Sequence, residues 1–300
     1  MKIFFLIYFF LFSHLLSNSI NTDWGTCELV ITDYTKIESK KLISTIIETI
    51  NEMNDEYGSI DTNKFSIYIV GNINDYKKYS GGKVPNWSTG ITKSNPDKIV
   101  IKGPKLAQIS KFKFYKILKH ELNHIYINRL NNKNTIPQWF KEGFASIIAN
   151  QFSLKHKIIL SKNKWKNSLL PIESLNRFNK INSSNSQLAY SQSYSMVVAL
   201  QFYYGDEIIH EIINHIKLGK TFNEAILEIT GFDINYINVQ LINYISTNYN
   251  WLILLDIPNM VFSILPLILI IGFIYMKYNN LKKIKKWEEE MDELDKVEEH

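Results

Sequence analysis

The segment HELNH at residues 120–124 constrains the fold of this chain more than any other feature. Histidines four residues apart lie on one face of an α-helix, about one turn from each other. At that separation two imidazoles can bind the same Zn²⁺ ion. Apolar residues recur at helical spacing around the segment, without glycine or proline, so the sequence predicts a helix with His120 and His124 as metal ligands.

Two glutamates complete the pattern. Glu121 follows the first histidine, so on a helix its carboxylate projects beside the metal, where it can act as general base towards a water molecule. Glu142 stands in the segment PQWFKEGFA, residues 137–145, which predicts a second helix begun by Pro137. Two histidines and one glutamate leave the fourth zinc position open, as in catalytic sites, whereas structural sites usually close all four with cysteine or histidine. Without the histidines, Glu142 would be an ordinary surface glutamate.

The body of the chain, residues 21–249, has the pattern of one α+β domain without internal repeats. Periodicity in its first third predicts two strands, a helix and a hairpin. These are strands at 27–31 and 65–70, a helix at 36–54, and a hairpin of 88–92 with 98–102. From residue 110 to about 246 the pattern is helical, interrupted by a stretch rich in Lys and Asn at 153–186.

Charge and cysteine content argue against nucleic acid binding and against an internal disulfide. The net charge of +5 is mild, and no dense basic stripe with interleaved aromatic residues is present, so the sequence does not favour nucleic acid binding. Cys27 is the only cysteine, so no internal disulfide can form.

The N-terminus has the pattern of a secretory signal. Lys2 precedes an apolar run at residues 3–12, and a more polar stretch with small residues follows. The run is short for a membrane-spanning helix, so we predict a signal peptide at residues 1–20. The alternative is an uncleaved N-terminal anchor.

A second apolar run, residues 257–276, is long enough to cross a bilayer. Asp256 and Pro258 stand where an N-cap and a first-turn proline belong. Five lysines follow the run between residues 277 and 286, and such clusters normally stay on the cytoplasmic side. We therefore predict a transmembrane helix at 252–276, a catalytic domain outside the cell membrane, and a short cytoplasmic tail, solvated or helical, at 277–300.

The segments HELNH and WFKEGFAS resemble those of the gluzincin zinc metallopeptidases, which include thermolysin and the aminopeptidase N type. More closely, residues 25–248 resemble the bacterial peptidase MA-like domains. The similarity extends to GGKVPNWSTGI before the site and AYSQSYSMVVAL after it. It implies a zincin-like fold, in which a small mixed sheet packs on the active-site helix and a helical subdomain follows.

The resemblance also implies roles for individual residues. It assigns one zinc ion per chain to His120, His124 and Glu142, and general-base catalysis to Glu121. In the aminopeptidase branch a tyrosine in a similar place donates a hydrogen bond to the oxyanion, and Tyr190 occupies the matching position. A phenol near the metal can stabilise charge that develops only in the transition state. Tyr194, one turn later, is the rival candidate.

Two departures from the family pattern bear on function. The aminopeptidase branch binds a free substrate N-terminus through a Gly-x-Met-Glu-Asn strand, and the corresponding segment WSTGI at residues 87–91 has no acidic residue. Cleavage within a chain is therefore favoured over trimming from its end. Ser146 stands where relatives often have an acidic group that orients a histidine, and serine would accept that hydrogen bond only weakly.

These observations together predict a membrane-anchored zinc metallopeptidase that acts on peptides or proteins, with residues 88–92 as an edge strand able to pair with an extended substrate. The alternative is a catalytically silent receptor or scaffold that kept the fold, although all four site residues named above are present. An intramembrane protease is disfavoured because four lysines lie on the helix around His120, and a bilayer would accept them only at high cost.

Overall fold

The protein is described here by a computed structural model. It describes residues 16–32, 37–82, 84, 88–130, 136–250, 252 and 257–298. The chain divides near residue 250 into two compact units. The first unit holds a sheet and eleven of the helices described below, and the second holds one long helix.

The sheet has five strands and is mixed. In chain order they are β1 (Leu16–Thr22), β2 (Gly25–Ile31), β3 (Phe65–Val70), β4 (Gly90–Lys93) and β5 (Lys98–Lys102). Their order across the sheet is β1-β2-β3-β5-β4, with β2, β3 and β5 parallel and the outer pairs antiparallel. The predicted strands and the hairpin are confirmed, and β4 lies at an edge, as expected for residues 88–92.

All of the described helices follow the first two strands in the chain. They are α1 (Ser39–Tyr57), α2 (Ile73–Ser80), α3 (Pro104–Ala107), α4 (Lys111–Leu130), α5 (Gln138–Ile148), α6 (Leu154–Trp165), α7 (Ile172–Leu175), α8 (Ser183–Tyr204), α9 (Ile208–Lys217), α10 (Phe222–Thr230), α11 (Ile234–Asn248) and α12 (Ile257–Glu298). A single 3₁₀ turn, Phe178–Lys180, precedes α8. The α+β, zincin-like class predicted from the sequence is confirmed: a small mixed sheet, a helix carrying HELNH, and a helical part after it.

Four of the described helices were not predicted: α2, α3, α6 and α7. Helix α2 is short and polar, but Asn72 caps it by accepting a hydrogen bond from the Asp75 backbone N–H. Helix α6 lies inside residues 153–186, where the prediction of an interruption is wrong. Ser153 and His156 form a reciprocal capping box at its start, and histidine in the place of the usual Glu or Gln hides that signal.

Helix α4 connects the sheet to the helical part of the first unit, because it contacts strands β4 and β5 as well as α1 and α5. Arg129 in its last turn fastens the helix to the sheet. The Arg129 Nε lies 2.6 Å from Asp97 Oδ2, in the β4–β5 turn. Its other nitrogens donate to the carbonyl oxygens of Trp24 and Asn63. Its Nη1 also donates to the carbonyl oxygen of Asp61, and a guanidinium with these four partners fixes the helix relative to the hairpin that faces HELNH.

Helices α5 and α8 pack closely because a glycine lies between them. A Cβ added at Gly143 would collide with the backbone oxygen of Ser193 and lie 2.6 Å from Val197 Cγ2. No other residue type leaves that room, so Gly143 sets the short distance between the helix that carries Glu142 and the helix that carries Tyr190.

The predicted signal peptide lies mostly outside the described residues, which begin at Leu16. Residues 16–20 belong to β1, and Ile20 pairs with Cys27 of β2. Processing of the N-terminus stays a prediction.

The second unit consists mainly of α12. A stretch of this helix, Ile264–Met291, is long and apolar enough to cross a membrane by length and composition alone. The helix does not stop at the predicted boundary after residue 276 but continues through the lysine-rich segment. Lys286 lies 3.3 Å from Glu290, one turn further along. The proposed N-cap Asp256 is outside the described residues.

Candidate metal centre

Three side chains from two helices converge at one point. His120 and His124 come from α4 and Glu142 from α5, and one ligand atom of each lies within 4.8 Å of the others. The two Nε2 atoms are 3.1 Å apart. Glu142 Oε2 is 3.3 Å from the first of them and 3.5 Å from the second.

These separations fit zinc. Ligand atoms about 2.0–2.1 Å from a tetrahedral ion lie about 3.3–3.4 Å from one another. The three distances here, 3.1, 3.3 and 3.5 Å, surround that value, so one ion at their centre would reach all three atoms without a change of fold. Three protein ligands leave a fourth position for water or substrate.

The electrostatics of the cluster favour an ionised carboxylate. Burial alone would keep Glu142 neutral, but the attraction of His124 and hydrogen bonds from both histidines hold its pKa well below the usual range. Burial alone would lower the pKa of His124, and the charge of Glu142 raises it instead. An anion buried beside two imidazoles is the charge distribution that a divalent cation would stabilise.

Glu142 is held from two sides by its own helix. Gln138 Nε2 donates to Glu142 Oε1 at 2.7 Å, which leaves Oε2 to face the histidines. Ser146 Oγ donates to the backbone oxygen of Glu142 at 2.8 Å. Ser146 therefore does not orient a histidine, contrary to the possibility raised by its position. His120 Nδ1 is buried and has no hydrogen-bond partner among the described residues.

The Glu121 carboxylate contacts strand β4 and is not one of the three ligand groups. Its carboxylate Oε2 accepts a hydrogen bond of 2.7 Å from Thr92 Oγ1. Strand β4 approaches closely because Gly90 has no side chain: a Cβ there would lie 2.5 Å from Glu121 Oε1. The carboxylate is thus buried and oriented beside the cluster without belonging to it.

The two tyrosine candidates separate clearly. The Tyr190 ring lies 6.1 Å from the His120 ring and 5.3 Å from Phe178. Burial, with a smaller contribution from Glu142, raises the Tyr190 pKa well above its usual value, so the phenol keeps its proton. Tyr194 instead stacks on Phe152, with ring centroids 4.0 Å apart. Of the two, Tyr190 is the one with a described ring contact to a histidine of the cluster.

The comparison with protein families decides the family. The model of the Peptidase MA superfamily matches residues 45–247, about two-thirds of the chain. The chain belongs to the Peptidase MA superfamily. The resemblance inferred from HELNH and WFKEGFAS is therefore confirmed, and the family supports a zinc metallopeptidase.

Solved structures similar to this Peptidase MA protein include two mutants of M1 zinc metallopeptidases. One, from Deinococcus radiodurans, has a TM-score of 0.43 and 10% identity, over 74% of this chain and 49% of that chain. A two-domain M1 enzyme bound to L-tryptophan has a TM-score of 0.43 and 11% identity, over 76% and 50%. The chain spans about half the length of these structures, and the likeness is one of fold alone. A search of curated proteins found no match.

Three residues of this Peptidase MA site escaped the sequence interpretation. Gln138 precedes Glu142 by four residues on a helix, a spacing at which side chains meet, so the signal was present. Thr92 was predicted to lie in a strand, but no sequence signal indicated that its side chain faces Glu121. Tyr76 lies on the unpredicted helix α2 and donates to Ser88 Oγ at 3.2 Å. Burial raises the Tyr76 pKa to about 12, with a smaller contribution from the charge of Glu121.

Proposed function

We propose that this protein is a membrane-anchored zinc metallopeptidase that cleaves within peptide chains. One observation carries the proposal: three ligand atoms lie at zinc-binding separations, with a separate buried carboxylate, Glu121, oriented beside them by Thr92. A metal ligand set with an open position and an adjacent base is what water-dependent peptide hydrolysis requires.

Each side chain of the site has a separate role in peptide hydrolysis. Zn²⁺ held by His120, His124 and Glu142 would supply Lewis acidity to the substrate carbonyl and to a water molecule. Glu121 accepts the proton of the attacking water and passes it to the leaving amine. Tyr190 donates a hydrogen bond to the oxygen on which negative charge develops.

Strand β4 provides the peptide-binding edge. One side pairs with β5, and among the described residues no strand pairs with the other. Because Gly90 and Thr92 contact Glu121, an extended peptide added to this edge would pass next to the base. The segment before the strand has no acidic residue that would bind a free amino terminus, so the proposal is an endopeptidase.

Helix α12 anchors the enzyme. Its apolar stretch would span the bilayer, and the lysines after it would keep the C-terminal tail in the cytoplasm. The catalytic domain then lies in the periplasm or at the cell surface and reaches peptides or proteins there.

The proposal is tested with the full chain in detergent and pairs of peptides that have a free or an acetylated N-terminus. We expect cleavage of both at internal bonds, loss of activity with 1,10-phenanthroline, and recovery with added Zn²⁺. Cleavage confined to the first residue of unblocked peptides would instead identify an aminopeptidase. A zinc-loaded chain that cleaves nothing across a broad library would be a silent scaffold.

Replacing Tyr190 by Phe should lower kcat about 100-fold with little change in KM, because removal of one oxyanion donor has an effect of this order. Steady-state kinetics on a blocked peptide measures it. Tyr194→Phe is the matched control, since the same hydroxyl is removed one turn further along α8, and we expect its kcat to stay within about twofold. Equal losses in the two variants would contradict the role of Tyr190.

A further inference from the structure

A polar pocket of about 600 Å³ lies beside the metal centre, between the start of α5 and helices α7, α10 and α11. Its polar lining consists of four amides and one lysine: Gln138, Asn176, Asn223, Asn238 and Lys141. We refer to it as the amide pocket. Its volume is in the range that binds part of a substrate, and no step proposed above uses it.

The amide pocket adjoins the ligand set through one residue. Gln138 lines the pocket, and its Nε2 donates to Glu142 Oε1 at 2.7 Å. Lys141 also lines the pocket and directly precedes Glu142 on α5. A group bound beside Gln138 would therefore be separated from the metal ligand Glu142 by one side chain.

The lining has a positive charge and no negative one. Lys141 is half-buried and makes no hydrogen bond or ion pair with another described residue. Glu142 attracts Lys141, but its carboxylate already interacts with the two histidines. An anion in the pocket would further offset the cost of partly burying this cation. Bound Zn²⁺ together with the Glu142 carboxylate would add a net positive charge nearby.

The amides suit a carboxylate as well. Asn238 Oδ1 is buried without a hydrogen-bond partner. The oxygen and nitrogen of an asparagine amide are interchangeable by a rotation, so this position can equally present an N–H donor to the pocket. Neutral donors around one lysine would bind both oxygens of a carboxylate, with the apolar side chains of Ile172 and Ile234 on its stem.

We infer that the amide pocket binds a carboxylate of the peptide substrate near the scissile bond, with Lys141 as its counter-charge. The inference rests on the proposed function and gives that site a substrate class, acidic peptides. The carboxylate belongs either to an Asp or Glu side chain or to the C-terminus of the peptide, and the chemistry of recognition is the same for both.

The test uses the full chain in detergent and short peptides that carry Glu or Gln at one scanned position, each with a free or an amidated C-terminus. We expect kcat/KM to be about tenfold or more higher with the carboxylate at one position, the effect of one charge-assisted hydrogen bond. Lys141→Gln should reduce the ratio of kcat/KM between the Glu and the Gln peptide to about twofold or less. Lys141→Arg should keep most of that ratio. Lys157→Gln, which removes an exposed lysine on α6, is the control and should keep the native ratio.

The arms separate the possible outcomes. A ratio that follows the Glu side chain identifies side-chain recognition, and one lost on amidation identifies the C-terminal carboxylate. Equal kcat/KM for all peptides, or a ratio unchanged by Lys141→Gln, overturns the inference and leaves the peptidase intact. If no peptide is cleaved, the proposed function fails. Peptide binding measured by fluorescence anisotropy then tests the amide pocket separately. Tighter binding of Glu than Gln peptides that Lys141→Gln abolishes supports the pocket, and equal or absent binding overturns it.

Discussion

Glu121→Gln is expected to lower kcat/KM by about 10²–10⁴ while the chain still binds one zinc ion. Glutamine has the same shape as glutamate but cannot accept a proton at neutral pH. Its side-chain oxygen can still accept the hydrogen bond that Thr92 gives to the carboxylate, so the local structure should persist. The ligand atoms are untouched because Glu121 is outside the set of three. Peptide kinetics and metal analysis of the same preparation measure the two effects.

A matched control removes a carboxylate elsewhere. Glu52 on α1 is exposed, and its carboxylate lies 3.0 Å from Lys119 Nζ. Lys119 is on α4, the helix that carries Glu121. Glu52→Gln changes the net charge by the same amount without reaching the site, so kcat/KM should stay within about twofold. If Glu121→Gln retained full activity, another group would be the base. If it lost zinc, Glu121 would be a ligand and the assignment of Glu142 would need revision.

Local periodicity explains why so much of the site was predictable. The spacing of His120 and His124 has a meaning only on a helix, and the apolar pattern around it independently predicted that helix. Pro137 marked the start of the helix that carries Glu142, and the structure places the proline at the N-cap. Strand β3 agrees with its predicted bounds because five of its six residues are β-branched or aromatic, and polar or glycine residues flank it.

The remaining parts depend on contacts between residues far apart in the chain. Thr92 and Glu121 are 29 positions apart, and nothing local indicates that this strand side chain faces the base. Tyr76 lies on a helix too short and polar for periodicity to reveal it. Gly143 could be taken for a helix weakener until the backbone of Ser193 is seen against it. Such residues are determined by packing between elements, which a single sequence does not record.

Glu142→Gln is expected to remove zinc binding and peptide hydrolysis together. The two histidines would then bind the ion without the buried negative charge that balances it, and two imidazoles alone are fewer ligands than a protein zinc site uses. Gln138 can still bond the new amide, so the apo fold should survive. Titration with Zn²⁺ should raise the Tm of the native chain, since ligand at about 100 times Kd adds about 2.7 kcal/mol of stability.

In Glu142→Gln the zinc-dependent rise in Tm should disappear. Glu48→Gln, an exposed carboxylate on α1, should keep it in full, because it changes the charge without touching the ligands. An unchanged zinc-dependent shift in Glu142→Gln would mean that the ion binds elsewhere, and the geometry of His120, His124 and Glu142 would then be a structural cluster. Loss of the shift with retained hydrolysis would separate the metal from the reaction. Loss of both the zinc-dependent shift and hydrolysis, with the Tm of the metal-free protein unchanged, would show that Glu142 binds the ion that the reaction requires.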